Sequence, residues 1–159
     1  MGLDATGAEQ QVRAWLEARD LDVTTVREGR VMTMLTGQWK RTIHVLLHVD
    51  SRSLHATSLL VGEPDQHHEE VYRLLLHRNQ KSGPVHFALD DDGQVVLTGD
   101  LALDHLDEEG FDVLLGTILR LADDVFNTVL RTGFADYLAK EQAWREQAGM
   151  PPNPAGTEG

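Results

Sequence analysis

The sequence predicts an α+β domain in which an antiparallel sheet is packed by a short N-terminal helix, a middle helix and a long C-terminal helix. Apolar residues recur at helical spacing over residues 8–19, 65–79 and 107–132. The segments between them alternate apolar and polar residues or are rich in β-branched residues, as strands are. These strand-like segments follow one another through tight turns, which favours antiparallel pairing.

The helical pattern over residues 107–132 is the longest, and it predicts the main packing element of the core. Its apolar side chains cover about half of a helical wheel, more than the roughly 100° stripe that a surface helix needs. One part of this face can therefore pack on a sheet, and the rest needs a further partner. Asp107 suits the N-cap, and Leu106 can pack onto Phe111. Gly133 suits the left-handed position that follows the last turn of a helix.

The predicted domain spans residues 8–147, and the chain length of 159 residues suits a single domain. Residues 1–7 are expected to be a disordered lead, and residues 148–159, which include three prolines, a disordered tail. Thr6 and Glu9 form a Thr-x-x-Glu pattern, which predicts a capping box at the start of the first helix.

Four strand-like segments precede the middle helix, and two follow it. Turn residues separate the members of each pair, including Glu28-Gly29 in the first hairpin. The six segments are residues 22–27, 30–36, 42–49, 54–61, 85–89 and 94–99. Within 42–49 the residues Ile43, Val45, Leu47 and Val49 are predicted to face one way, and His44, Leu46 and His48 the other.

The composition excludes several classes of function. The formal net charge is −12, whereas nucleic-acid binding and attraction to anionic membranes need a basic surface. There is no cysteine, so neither disulfides nor thiolate chemistry can contribute. The apolar runs are far shorter than the ~20 residues of a membrane helix, and no signal-peptide pattern is present. We therefore expect a cytoplasmic protein that binds neither nucleic acid nor membrane.

No pattern of residues predicts catalysis or metal binding. Counted from Asp90, the sixth and twelfth residues of a calcium loop would be Val95 and Leu101, which cannot fill those positions. His67 and His68 are adjacent on a predicted helix and point about 100° apart, so they do not converge on a metal ion. Neither a nucleophile elbow nor a phosphate-binding glycine loop is present. We expect no catalytic, metal-binding or cofactor-binding residues.

Two pairs of residues are candidates for contacts with other proteins. Tyr72 and Leu76 point about 100° or more away from the core-facing Val71. Either the middle helix is buried on two sides, or these residues contact a second copy of the chain. Trp15 on the first helix and Trp39 near the strands could line a groove for a partner segment. The alternative is that both tryptophans are packed inside, where tryptophan is mostly found.

Several short motifs, taken in order, add a resemblance to these patterns. They are VLL at 45–47, GEP at 62–64, YRLLLHRN at 72–79, VHFALDDDG at 85–93 and DDVFN at 123–127. They resemble the YbjN-like family of bacterial proteins, which has the type III secretion chaperone-like fold. The likeness covers about residues 8–134, and its specificity lies in the order of the motifs.

The resemblance implies a non-enzymatic, protein-binding regulator or chaperone-like module. The family is described as sensory transduction regulators, and the related chaperones are small, acidic homodimers that bind partly unfolded partner segments. A homodimer with a protein or peptide partner is therefore expected. Two alternatives stay open, namely a small-ligand-binding protein or enzyme with an unrecognised site, and a scaffold subunit of a larger assembly. The secretion chaperones have three strands before the middle helix where this chain has four strand-like segments.

Overall fold

The computed structural model describes residues 3–154, and within them the predicted α+β class is confirmed. Four α-helices, one 3₁₀ turn and six strands follow one another in this range. They are α1 (Ala5–Ala18), β1 (Thr24–Arg27), β2 (Arg30–Leu35), β3 (Ile43–Val49), β4 (Ser53–Val61), α2 (His68–Asn79), β5 (Val85–Leu89), β6 (Val95–Ala102), the 3₁₀ turn (Leu103–His105), α3 (Glu108–Gly133) and α4 (Ala135–Gln147).

The six strands form one antiparallel sheet in the order β1-β2-β3-β4-β6-β5. The first four strands form a meander, as the four predicted segments before the middle helix require. Gly29 in the first hairpin turn has a φ of +71°, a conformation that glycine adopts without strain. Strand β6 lies between β4 and β5, so β1 and β5 are the two edges of the sheet.

One face of the sheet is buried beneath helices, and the other is open. In β3 the residues Ile43, Val45, Leu47 and Val49 are buried while those between them are more exposed, as the alternation predicts. Contacts from α1, α2 and α3 to the strands cover the buried face. Helix α3 contributes the largest share of the core, with Phe111, Leu114, Ile118, Val125 and Val129 among its buried residues.

The start of α1 differs from the prediction. The helix begins three residues earlier, because Asp4 is its N-cap and the side-chain Oδ1 of Asp4 accepts the N–H of Gly7 at 2.7 Å. The predicted capping box of Thr6 and Glu9 is therefore wrong, and Glu9 instead pairs with Arg13 at 2.9 Å. The last three residues of the predicted disordered lead are helical.

The predicted disordered ends fall partly outside the described residues. Residues 1–2 of the lead and residues 155–159 of the tail lie outside the described residues.

The predicted cap at the start of α3 is confirmed, because the side chain of Asp107 accepts the N–H of Gly110 at 2.7 Å.

Gly133 does not occupy the left-handed position that the sequence predicts. It is the last residue of α3, and a Cβ added there would lie 3.1 Å from side-chain atoms of both Pro64 and Val71. Its carbonyl also accepts the backbone N–H of Asp65 at 2.9 Å. A larger residue here would require Pro64 or Val71 to move by a few tenths of an ångström, because the segment leading into α2 approaches closely. The N–H of Gln66 bonds to the same carbonyl, and α2 starts at residue 68, three residues later than predicted.

Candidate protein-interaction surface

An apolar groove of about 210 Å³ lies between α2 and the edge strand β5. The residues that line it, here named the α2–β5 surface, are Tyr72, Leu75, Leu76, Asn79, Phe87, Ala88 and Leu89. Two of its leucines are unusually open to solvent, since Leu76 is 69% exposed and Leu89 is 50% exposed. Large apolar side chains gathered in one exposed groove are typical of a contact site.

Helical and strand periodicity together explain why these side chains meet. On α2, Val71 and Leu75 are one turn apart and are buried, Val71 beside the end of α3. Tyr72 and Leu76 follow them by one residue, which turns each by about 100° toward the outside of the core. On β5, Phe87 and Leu89 alternate onto the helix-covered face, and Leu89 ends the strand with half of its surface exposed.

The charges on α2 are divided between its two ends. Glu69 and Glu70 lie in the first turn, and His77 and Arg78 lie in the last turn. This arrangement complements the helix dipole. The middle of the helix carries Arg73, which pairs with Glu69 at 3.0 Å, but both side chains are largely exposed and the pair contributes little to stability.

Asn79 at the end of α2 ties the helix to β5. Its side-chain Nδ2 donates to the carbonyl of Phe87 at 3.0 Å, and the N–H of Phe87 donates to Oδ1 of Asn79 at 2.7 Å. Buried Ser82 donates its hydroxyl to the carbonyl of Asn79 at 3.2 Å. These bonds fix one end of the groove. Sequence reasoning missed Asn79, since an asparagine at the end of a helix reads as an ordinary terminal residue.

The structure brings together one of the two predicted residue pairs. Tyr72 and Leu76 share the α2–β5 surface. Trp15 is partly buried and packs on Phe111, with ring centroids 5.2 Å apart. Trp39 is also partly buried.

The two tryptophans contact different parts of α3. The backbone N–H of Trp39 donates to Asp123 at 2.7 Å, whereas Trp15 packs on Phe111. Phe111 and Asp123 are twelve residues apart on one helix, or about 18 Å along its axis. The contacts of the two tryptophans with α3 thus lie well apart, and a role in partner binding stays a prediction for each of them.

A polar cluster occupies the open face of the sheet, opposite the helices. His55 bonds through Nε2 to Asp50 at 2.7 Å and through Nδ1 to Asp100. The bond to Asp50 is the main cause that raises the pKa of His55, and the charge of Asp100 adds to it. Among residues 3–154 no group of three or more histidine or acidic side chains is arranged to hold a metal ion.

The family of the chain follows from a comparison of its sequence with known families. Residues 9–131 match the YbjN family, described as "Putative bacterial sensory transduction regulator". The chain belongs to the YbjN family. The match ends before α4, so the last helix lies outside it. No helix within residues 3–154 has the length and apolar character needed to cross a membrane.

Related sequences occur in mycobacteria. An uncharacterized protein of Mycobacterium leprae is 33% identical over 120 residues, which are 76% of this chain and 65% of that protein. One of Mycobacterium tuberculosis (strain H37Rv) is 35% identical over 115 residues, which are 72% of this chain and 63% of that protein. The chain thus spans slightly less than two thirds of the length of these relatives.

Solved structures with a similar fold include a complex from a type III secretion system and a chaperone-effector complex. The ExoU-SpcU complex of Pseudomonas aeruginosa matches with a TM-score of 0.56 and 17% identity, covering 70% of this chain and 92% of that chain. The ExsC-ExsE complex matches with a TM-score of 0.56 and 18% identity, covering 79% and 94%. The HopA1-SchA chaperone-effector complex matches with a TM-score of 0.55 and 12% identity, covering 72% and 89%. At these identities the likeness shows the fold alone.

Proposed function

We propose that this YbjN protein is a non-enzymatic, protein-binding regulator or chaperone-like module that acts through its α2–β5 surface. The observation that carries the proposal is the exposed apolar groove beside an edge strand, with Leu76 69% exposed. The structural neighbours support it, because their names describe chaperones or complexes with protein partners. The family description as a regulator agrees with such a role.

The occupant of the α2–β5 surface is a second copy of the chain. A two-fold symmetric contact places the same surface of both copies face to face, and with the axis perpendicular to α2 the two α2 helices run antiparallel. Glu69 and Arg73 line the same side of α2 as Tyr72 and Leu76, so each copy would bring one charge of each sign to the contact. The contact is therefore complementary to itself in charge.

The negative charge of the whole chain restricts where two copies can come into contact. A net charge of −12 opposes contact between two copies through most of their surfaces. At the α2–β5 surface the apolar groove lies beside a helix that carries both signs of charge. A homodimer formed here would leave β1 and α1, at the other end of the sheet, available to a protein or peptide partner.

Removing the exposed side chains of α2 tests the proposal. The double variant Tyr72→Ala/Leu76→Ala should raise the dimer Kd at least about 30-fold, since the loss of an anchoring residue typically costs about 2 kcal/mol or more. Light scattering across a range of protein concentrations measures the mass, and circular dichroism checks that the domain stays folded.

Val113→Ala is the matched control, because Val113 is 50% exposed on α3 and lies outside the α2–β5 surface. This variant should dimerise as the parent chain does. A parent chain that stays monomeric at high concentration would refute the proposal, and so would a double variant that dimerises as tightly as the parent.

A further inference from the structure

The edge of β5 is closed to the addition of another strand, and we propose that Asn79 is the residue that closes it. The inference rests on the proposed function, because it concerns how the α2–β5 surface receives its partner. An edge strand ordinarily presents unpaired N–H and C=O groups, which can pair with a strand from another chain. On β5 the central pair of these groups belongs to Phe87, and Asn79 already occupies both.

The direction of the Phe87 backbone follows from its bonds. Phe87 lies opposite Leu97 in the ladder with β6. Because its N–H and C=O both bond to Asn79, they point away from β6 and toward the free edge. In an antiparallel strand this direction repeats at every second residue, so the backbone groups of Val85 and Leu89 also face the edge. Phe87 is thus the middle of the three positions with which an added strand would have to pair.

The carboxamide of Asn79 reproduces the groups that a neighbouring strand would offer. In an antiparallel ladder, a hydrogen-bonded residue pair exchanges two N–H···O bonds. Asn79 makes the same exchange, donating from Nδ2 at 3.0 Å and accepting at Oδ1 at 2.7 Å. The side chain therefore occupies the site of one residue of a seventh strand.

The turn after α2 sets Asn79 in this position before any partner arrives. Ser82 is buried, and its hydroxyl donates to the Asn79 carbonyl at 3.2 Å. Gly83 follows with a φ of +73°, which permits the sharp return to β5. A strand that added to β5 would have to displace Asn79 from Phe87. The α2–β5 surface accordingly accepts the side chains of a second α2 helix and excludes an extended segment that pairs with β5.

Variants of Asn79 test this inference in the Tyr72→Ala/Leu76→Ala background, where contacts through α2 are removed. Asn79→Ala should open the edge, so that the amide of Phe87 exchanges its hydrogen at least about 10-fold faster in dilute solution. At high concentration the same chain should associate, with new protection of the Val85 and Leu89 amides. Hydrogen exchange by NMR and light scattering measure the two effects.

Two further variants keep the test interpretable. Asn79→Asp retains the acceptor for the Phe87 N–H, so the Phe87 amide should stay slow and the chain monomeric. Asn79→Ser is too short to reach both backbone groups of Phe87, and it replaces Asn79→Ala if the latter reduces the folded fraction.

Two results would overturn the inference. One is an unchanged exchange rate of the Phe87 amide in the opened variants. The other is a fast Phe87 amide in a chain that stays monomeric, with no new protection on β5 at high concentration. Failure of the proposed dimer is a separate result, because it would be seen as a parent chain that stays monomeric. The Asn79 variants are measured in the Tyr72→Ala/Leu76→Ala background, where the α2 contact is already removed.

Discussion

His55 is held between two carboxylates on the open face of the sheet. The β4–β6 register sets His55 directly opposite Asp100, and the turn after β3 brings Asp50 to the other ring nitrogen. The N–H groups of Arg52 and Ser53 donate to Asp50, and these bonds and the one to His55 hold the pKa of Asp50 well below its usual range. A charged His55 therefore links the β3–β4 turn to β6.

The pKa of His55 sets a pH dependence of stability. The folded-state pKa of His55 is raised above its ordinary value of about 6.5. Its stabilising contribution is therefore fully present below about pH 6.5 and is lost as the pH rises through the folded-state pKa. We expect the free energy of unfolding, measured with urea, to fall between pH 6 and pH 9, and His55→Gln to remove part of that fall.

His86→Gln is the control for this measurement, because His86 is an exposed histidine on the same face of the sheet. This variant should keep the pH dependence of the parent. If His55→Gln and the parent lose the same free energy between the two pH values, the ion pairs of His55 do not contribute in this way.

At the scale of elements, Asp123 fastens the loop between β2 and β3 to α3. Its carboxylate accepts the backbone N–H groups of Gln38 at 3.1 Å, Trp39 at 2.7 Å and Lys40 at 2.9 Å. Gly37 lies so close that a Cβ would be 2.4 Å from Oδ1 of Asp123. The loop is thereby shaped around a side chain of a distant helix.

Loss of this carboxylate should destabilise the domain. Asp123→Ala leaves three N–H groups without their acceptor, two of them partly buried, and should lower the free energy of unfolding by about 2–3 kcal/mol. Asp124→Ala is the control, because the exposed Asp124 pairs with Arg120 at 4.0 Å and should change stability by less than about 0.5 kcal/mol. Equal urea midpoints for the two variants would contradict this role of Asp123.

At the scale of the whole molecule, local patterns were sufficient to predict most of the elements. Helical and strand periodicity predicts the three major helices and the six strands. The positions of Tyr72 and Leu76 away from the core follow from the rotation of 100° per residue along a helix. Their neighbours Phe87 and Leu89 could not be foreseen, because they reach α2 only through the order of strands at the sheet edge.

The contacts that sequence reasoning missed join segments far apart in the chain or cross a turn. Asn79 and Asp123 both bond through side chains to backbone groups of other elements, and no periodicity records such bonds. The separation of Trp15 from Trp39 has a similar origin, since it depends on how two different elements meet the long helix α3.

Pairing of two copies through the α2–β5 surface is tested most directly by photo-crosslinking from position 76. A diazirine analogue of leucine there preserves the shape of Leu76, which is 69% exposed. Irradiation of the concentrated protein should give a covalent dimer, with the crosslink mapped by mass spectrometry to α2 of the second copy. The same analogue in place of Val113 should give little dimer. Absence of a dimer from position 76, or an equal yield from both positions, would contradict the proposed interface.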